Sequence, residues 1–264
     1  MTETARGPIR VALLGLGEAG SAFAADFIAL GLPTAGWDPV PTRTVSGLRR
    51  AESACEAVTG ADLVLSLNSG ASALPAAEAA AAAFSPRSLF ADLNTTGIAV
   101  KREIAAAVHS AGASFADVAL LAPVPGRGVR TPALASGDGA ARYAEILSSV
   151  GATIDVVGPE PGAAAARKLL RSVFMKGLAA SVLESLAAAE ATGCADWLRA
   201  DIAATLRDAD ESLVDRLVSG SARHAGRRIT ELEAAAELLR ELGVEPHVAQ
   251  AAADVLRGLD GVES

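Results

Sequence analysis

Aromatic residues are scarce: Phe, Trp and Tyr make up only 3% of the 264 residues, although 51% are hydrophobic. The apolar content is mostly alanine, so any core must pack helices closely through small side chains. The chain is still long enough for one large or two modest cores. Cysteine is nearly missing too. Cys55 and Cys194 lie far apart and form neither a CxxC nor a disulfide framework, which suits a reducing compartment. His109, His224 and His247 show no metal-ligand spacing, so no metal is expected. Basic runs are absent and the net charge is −8, which excludes the electrostatic footprint of a nucleic-acid binder. No stretch reads as a transmembrane helix, since the apolar Leu74–Phe84 is too short and too alanine-rich. Met1–Pro8 is polar, mixed in charge and without the apolar region of a signal peptide. The expectation is a soluble cytoplasmic protein with a small-molecule substrate and with neither nucleic-acid nor membrane partners.

The first part of the chain alternates β-like runs with helical stretches. Strands are predicted at Ile9–Leu14, Thr34–Trp37, Leu63–Leu67, Ser88–Asp92, Ser114–Leu120 and Thr153–Val157. Helices are predicted at Glu18–Leu30, Ala71–Phe84, Ile98–Ala111 and Ala140–Val150. Such alternation argues for a mainly parallel sheet covered by helices on both faces. The pattern stops at Gly158-Pro159-Glu160-Pro161-Gly162. Beyond it one long helix is expected from Ala163 to about Thr192, closed by Gly193, with shorter ones near Asp196–Arg207, Asp210–Val218, His224–Leu242 and Pro246–Leu259.

Gly15, Gly17 and Gly20 follow the first predicted strand and open the first predicted helix. In a chain rich in small residues an ordinary turn is one reading. The context meets the demands of a dinucleotide fingerprint, GxGxxG between strand and helix. Gly15 permits the tight turn, Gly17 the approach of a pyrophosphate, and Gly20 close packing of helix on strand. Leu16, Glu18 and Ala19 complete the loop, whose free N–H groups lie at the positive end of the helix. Asp38 comes 18 residues after Gly20, at the end of the second strand. It can accept from the adenosine ribose hydroxyls, which favours NAD, or simply serve the turn before Pro39. Arg43, on the loop Pro39–Ser46, can instead meet the 2′-phosphate of NADP. The fold class is therefore α/β: a doubly wound, Rossmann-type dinucleotide-binding domain over residues 1–160, followed by an all-helical substrate and dimerisation domain over 161–264. The cofactor is NAD or NADP. The alanine-rich faces Ala234–Ala236 and Ala251–Ala253 bury little area within one chain and suit a homodimer contact.

Within the long helix, Lys168, Ser172 and Lys176 form one polar ribbon at i, i+4 and i+8, beside the apolar Leu169, Leu170, Val173 and Phe174. Solvated lysines on an amphipathic helix are the plain reading. The helix begins at the domain junction, however, and junctions commonly hold ligands. The positive helix end and the neighbouring Arg171 and Lys176 disfavour a charged Lys168, which suits it to accept a hydroxyl proton as hydride leaves the adjacent carbon.

At these residues the chain resembles the β-hydroxyacid dehydrogenases, which include 3-hydroxyisobutyrate and 6-phosphogluconate dehydrogenases. Gly15-Leu16-Gly17-Glu18-Ala19-Gly20 is similar to the family's cofactor motif, and Leu67-Asn68-Ser69 to its loop over the adenosine ribose. Ala91-Asp92-Leu93-Asn94-Thr95-Thr96 is similar to the segment on the nicotinamide side, with Thr95 at the usual contact. Gly162 to Lys168 is similar to the glycine-rich run that ends in the catalytic lysine, so the resemblance implies that role for Lys168. Two departures stand out. The family's Ser-Gly-Gly run that grips the substrate is replaced by Leu120-Leu121-Ala122-Pro123-Val124-Pro125-Gly126-Arg127-Gly128, and its usual Asn by Ser172. The short C-terminal part resembles a poorly characterised subgroup carrying a second lysine, here Lys176, and the stretch His224-Ala225-Gly226-Arg227-Arg228. Arg227 and Arg228 can bind an anionic substrate group or pair with Glu231 and Glu233.

The expected function is an NAD(P)-dependent oxidoreductase that moves a hydride between nicotinamide and a small 3-hydroxy acid or its oxo form. An imine reductase of the same fold and a non-catalytic dinucleotide sensor are the alternatives.

Overall fold

Residues 7–260 are described in the structure, a computed structural model. The first six positions of the Met1–Pro8 stretch lie outside them. In chain order the elements are β1 (Val11–Leu14), α1 (Glu18–Ala29), β2 (Thr34–Trp37), β3 (Arg49–Arg50), α2 (Ala54–Val58), β4 (Leu63–Ser66), α3 (Ala73–Ala80), β5 (Leu89–Asp92), α4 (Ile98–Ser110), β6 (Ser114–Leu120), β7 (Ala133–Ser136), α5 (Ala140–Ser148) and β8 (Ile154–Gly158). They are followed by α6 (Ala163–Ala191), α7 (Ala195–Arg207), α8 (Glu211–Arg223), α9 (Ala225–Glu241) and α10 (His247–Asp260). The chain divides into two compact units, Met1–Leu170 and Arg171–Ser264.

The first unit is one sheet in the order β3-β2-β1-β4-β5-β6-β7-β8. Every pairing is parallel except β6 with β7. Strands such as Val11–Leu14 and Leu63–Leu65 are apolar without interruption because both faces of a parallel sheet are covered by helices. Alternate residues feed two cores. Leu13, Leu65, Ala91 and Val118 pack with Phe23 and Phe27 of α1 and Tyr143 of α5. Leu14, Val64, Phe90 and Phe115 pack with α2, α3 and with Ile104 and Val108 of α4. The expected doubly wound domain is therefore present, followed by helices alone among the described residues.

Two strands lie outside the sequence expectation. β3 is a pair of arginines whose strand form comes from its pairing with Ala35 and Gly36. β7 is too small-residued to announce itself, and it runs antiparallel to β6 because its connection holds only a short 3₁₀ turn and no crossover helix.

In the second unit α9 and α10 pack closely, with Ala236, Leu239, Ala249 and Ala253 buried between its helices. Of the alanine faces expected to bury little within one chain, Ala236 and Ala253 are buried, at 4% and 3% exposed, while Ala234 and Ala251 are exposed. Large apolar exposure lies elsewhere, at Val173, Phe174, Leu183, Trp197, Val214 and Val218. Contrary to the sequence expectation, α6 is long and apolar enough to cross a membrane by length and composition. Its C-terminal half nevertheless carries Glu184, whose carboxylate accepts from the Val248 and Ala249 N–H groups at 2.7 and 3.0 Å. That carboxylate caps the start of α10 and ties α6 into the helical unit.

Candidate functional site

The order of strands locates the crevice before any side chain is considered. From β1 the chain builds outward through β2 and β3, then returns past β1 to build β4, β5 and β6 on the other side. Ligands of open α/β sheets bind outside the carboxyl ends of the strands where the order reverses. Here those ends carry Gly15 after β1, Leu67–Ser69 after β4 and Leu93–Thr95 after β5, all three expected at the site.

The three glycines are required for three different reasons. Gly15 has φ +101°, and a Cβ there would strike the Leu67 carbonyl and lie 2.7 Å from Asn68 Oδ1. A Cβ on Gly20 would strike the Gly15 carbonyl, so α1 packs directly against the turn. Gly17 is different. Its backbone is extended, and the nearest atom to a Cβ there is Arg43 Nη1 at 3.9 Å. Space is therefore left open beside the first turn of α1. Gly17 also caps α1 without contributing a side chain, which leaves the first-turn N–H groups uncapped by any side chain at the positive helix end. The exposed Glu18 stands beside them.

Asp38 closes the turn from the second strand. It is 2% exposed; Oδ2 accepts from Leu16 N at 2.7 Å and Arg43 Nη1 at 3.3 Å, and Oδ1 from Val40 N at 2.8 Å. Burial pushes its carboxyl up, but the N–H groups of Leu16 and Val40 and the Arg43 guanidinium outweigh it and hold Asp38 below the usual carboxylate value. Arg50 braces the same loop, donating to the carbonyls of Arg43 and Asp38, each at 2.8 Å. The Arg43 side chain keeps half its surface exposed.

Along β4 and β5 a polar net replaces the apolar core. Ser66 Oγ accepts from Asn68 Nδ2 at 3.0 Å and from Asn94 Nδ2 at 2.9 Å. Asn94 also accepts from Asn68 N and donates to Asp92. The segments that follow β4 and β5 are thus bonded to each other. Ser69 is bonded to Ser72 on the rim, at 2.9 Å. Thr95 follows, and its Oγ1 accepts from Lys168 Nζ at 3.0 Å. A small enclosed cavity is lined by Asn94, Thr95, Thr96, Asp117 and Lys168 among others.

Ser172 and Lys176 continue along α6 in the second unit, the former half-buried and the latter exposed. Arg227 pairs with Glu231 at 3.7 Å, Arg228 donates to Ser221 at 2.7 Å, and Glu233 is engaged by Arg257 at 2.6 Å. The proline-glycine segment Leu120–Gly128 is followed by a turn fastened to α1: Asp26 Oδ2 accepts from Val129 N at 2.9 Å.

Sequence reasoning passed over a second set of polar residues. Ser66, Asp92, Asp117 and Ser136 are fully buried, and so is Lys101. Their signal was present. Several apolar strands end in a polar residue, as in Leu63–Ser66 and Leu89–Asp92, and Lys101 stands on the apolar stripe of α4 with Ile104, Ala105 and Val108.

A glycine turn at the switch point of a parallel sheet, capped by an open helix N-terminus, defines a dinucleotide-binding fold. Residues 10–158 match the family model described as the NAD binding domain of 6-phosphogluconate dehydrogenase, and the chain belongs to that family. Its cofactor class is accordingly a nicotinamide dinucleotide. Residues 189–259 match a domain of unknown function, DUF1932. Among solved structures, the chain is similar to a conserved hypothetical protein from Sinorhizobium meliloti 1021, with 28% identity, a TM-score of 0.63, and 100% of this chain and 93% of that one covered. It is also similar to conserved protein MTH1747, described as structurally similar to 3-hydroxyacid dehydrogenases, with 27% identity, a TM-score of 0.62, and 96% and 98% covered. An imine reductase from Myxococcus stipitatus in complex with NADP+ shares the fold at 19% identity, with a TM-score of 0.82 and 96% and 95% covered. No curated protein matches the chain.

Proposed function

We propose that this protein is an NAD(P)-dependent dehydrogenase or reductase that interconverts a small 3-hydroxy acid and its oxo form, with Lys168 as general acid/base. One observation carries this reading: Lys168 Nζ sits 3.0 Å from Thr95 Oγ1, beyond the end of β5. A titratable amine is thereby held at the strand end expected on the nicotinamide side. The bound cofactor would supply the hydride acceptor or donor. The turn built by Gly15 and Gly20 would receive its pyrophosphate at Gly17, Leu67–Ser69 its adenosine ribose, and Asn94 and Thr95 its nicotinamide end. Lys168 takes the hydroxyl proton as hydride leaves the carbon, or returns it in the other direction. From their place in the sequence we assign Ser172 to hydrogen-bonding the substrate, and Lys176, Arg227 and Arg228 to an anionic group on it.

The cofactor we infer is NADP(H). Asp38 is buried and its oxygens are committed to Leu16, Val40 and Arg43, whereas the half-exposed Arg43 guanidinium lies beside Gly17. A cation so placed suits a 2′-phosphate. We also propose a homodimer that covers the exposed Val173, Phe174, Trp197 and Val214, and no nucleic-acid or membrane partner.

A second reading, imine reduction, is favoured by one feature. The segment after β6 lacks the serine of the family's carboxylate grip and is committed to Asp26 of α1. Turnover of NADP+ or NAD+ with a panel of 3-hydroxy acids, set beside NADPH with cyclic imines, separates the two. Binding of cofactor with no turnover in either panel points to a sensor. Lys168→Met should lower kcat by roughly 10²–10⁴-fold with cofactor affinity unchanged. Lys176, eight residues or about 12 Å further along the helix, should act mainly through KM. A collapse of kcat only in Lys176→Met would overturn the assignment.

A further inference from the structure

Four polar residues stand in register across four strands. Ser66 pairs with Asp92, Asp92 with Asp117, and Asp117 with Ser136. All are fully buried. Lys101, from the first turns of α4, reaches over the row, with Nζ 2.7 Å from Asp92 Oδ2, 3.0 Å from the Asp92 carbonyl and 2.9 Å from Asp117 Oδ1. One ammonium thus faces two carboxylates, so the side chains alone leave the row negative.

The rest of the compensation comes from a helix end. Ala165 N donates to Asp117 Oδ2 at 2.9 Å, and Ala164 N donates to Ser136 Oγ at 3.0 Å. Ser136 Oγ in turn donates to Asp117 Oδ2 at 3.2 Å. These are first-turn N–H groups of α6, at the positive end of its dipole. Just before them Gly162, with φ +95°, passes so close to α4 that a Cβ would lie 2.7 Å from Ile98 Cγ2. The start of α6 is therefore held both along its axis and about it.

Lys168 lies three residues after Ala165 and four after Ala164, on the same face of the helix. Its partner Thr95 lies three residues beyond Asp92, the other carboxylate of the row. Both ends of the Lys168–Thr95 contact are thus fastened to one buried ionic cluster. A buried ion cluster adds little net stability over an apolar core of the same shape. Its directional bonds do fix the rotation of the helix, which apolar packing leaves looser.

We propose that Asp117, held by Lys101 and assisted by Ser136, is the positioning residue for Lys168: it sets the rotational phase of α6 and so aims the Lys168 amine at Thr95. The proposal rests on Lys168 being the reactive amine.

The chain has only three lysines, Lys101, Lys168 and Lys176. Reductive methylation followed by mass spectrometry can therefore report Lys168 against Lys176 as an internal control. In Asp117→Asn, amide hydrogen exchange over residues 163–168 should rise at least tenfold, while peptides covering β1 and β4 stay within twofold. The pH profile of Lys168 methylation should move toward that of Lys176. Ser136→Ala, a milder change, should raise the same exchange severalfold, and it carries the test alone if Asp117→Asn does not fold. Unchanged exchange at 163–168, an equal rise across all strands, or an unmoved Lys168 profile would overturn the proposal. Neither readout uses turnover, so failure here is distinct from failure of the Lys168→Met test.

Discussion

One added methyl group, placed in turn at Gly15, Gly17 and Gly20, should give three separable outcomes. At Gly15 two costs add. A left-handed φ of +101° is unfavourable for alanine, by about 1–3 kcal/mol. The methyl also meets the Leu67 carbonyl, and such overpacking costs about 1–3 kcal/mol more. Gly15→Ala should thus lose about 2–6 kcal/mol, enough to lower Tm by roughly 5–20 °C in a unit of this size. At Gly20 the methyl meets backbone that cannot rotate away, the Gly15 carbonyl. Alanine regains about 1 kcal/mol of helix propensity against an overlap of about 1–3 kcal/mol, for a net loss of up to about 2 kcal/mol.

At Gly17 nothing stands within 3.9 Å of the new atom and φ is −67°, allowed for any residue. A weaker N-cap costs roughly 0.5–1 kcal/mol, and a stiffer unfolded chain returns about 0.4–1 kcal/mol. Stability should therefore be unchanged. Cofactor binding should not be, because the methyl fills the space the pyrophosphate needs. A loss of at least about 100-fold in affinity, about 2.8 kcal/mol, is expected. Thermal unfolding and calorimetric titration with NADPH and NADH, run on all three variants, give the comparison. If Gly17→Ala binds cofactor as the wild type does, or if it is the variant that unfolds, the assignment of the three glycines is wrong.

Arg43→Ala should weaken NADPH binding by roughly 10–100-fold, the worth of a charge-assisted contact, and change NADH binding by less than about twofold; an equal loss for both would remove the 2′-phosphate role. Asp38 has a folded-state carboxyl held below its ordinary value, so the stability it adds is complete above about pH 4 and is lost as pH falls through the lower folded value. The Tm gap between wild type and Asp38→Asn should therefore close on acidification from about pH 5 to about pH 3, and a constant gap would deny that linkage. Sedimentation should show a dimer that Phe174→Glu weakens, and a stable monomer at micromolar concentration would refute the proposed homodimer.

How much of this was legible beforehand follows from what each residue type announces. The strands at Thr34–Trp37 and Ser114–Leu120 match their expected bounds, because apolar runs flanked by turn residues have few other uses. The glycine turn was legible for the same kind of reason, since its spacing is set by backbone geometry and not by side chains. β3 was not, because two arginines carry no pattern and form a strand only by pairing with β2, fourteen residues earlier. Asp38 was placed at the end of its strand, but a one-dimensional reading could not know that Leu16 N–H would reach its carboxylate across 22 residues.

The ionic row was the least legible part, and its concealment has a physical cause. Lys101 sits within Lys101-Arg102-Glu103, which in sequence looks like a solvated helix face. Only Lys101 shares the buried stripe with Ile104 and Val108. A buried lysine is costly unless partners meet it, and here the partners come from β5 and β6. Those partners become neighbours only when parallel strands bring Asp92 and Asp117 into register, which in turn requires the crossovers between them. Sequence periodicity reports which face of an element is apolar. It cannot report which charged residue on that face will be neutralised by register. For that reason Lys168 and Thr95 could each be assigned to the site from resemblance, whereas their contact and the cluster that holds α6 in place for it had to be seen in three dimensions.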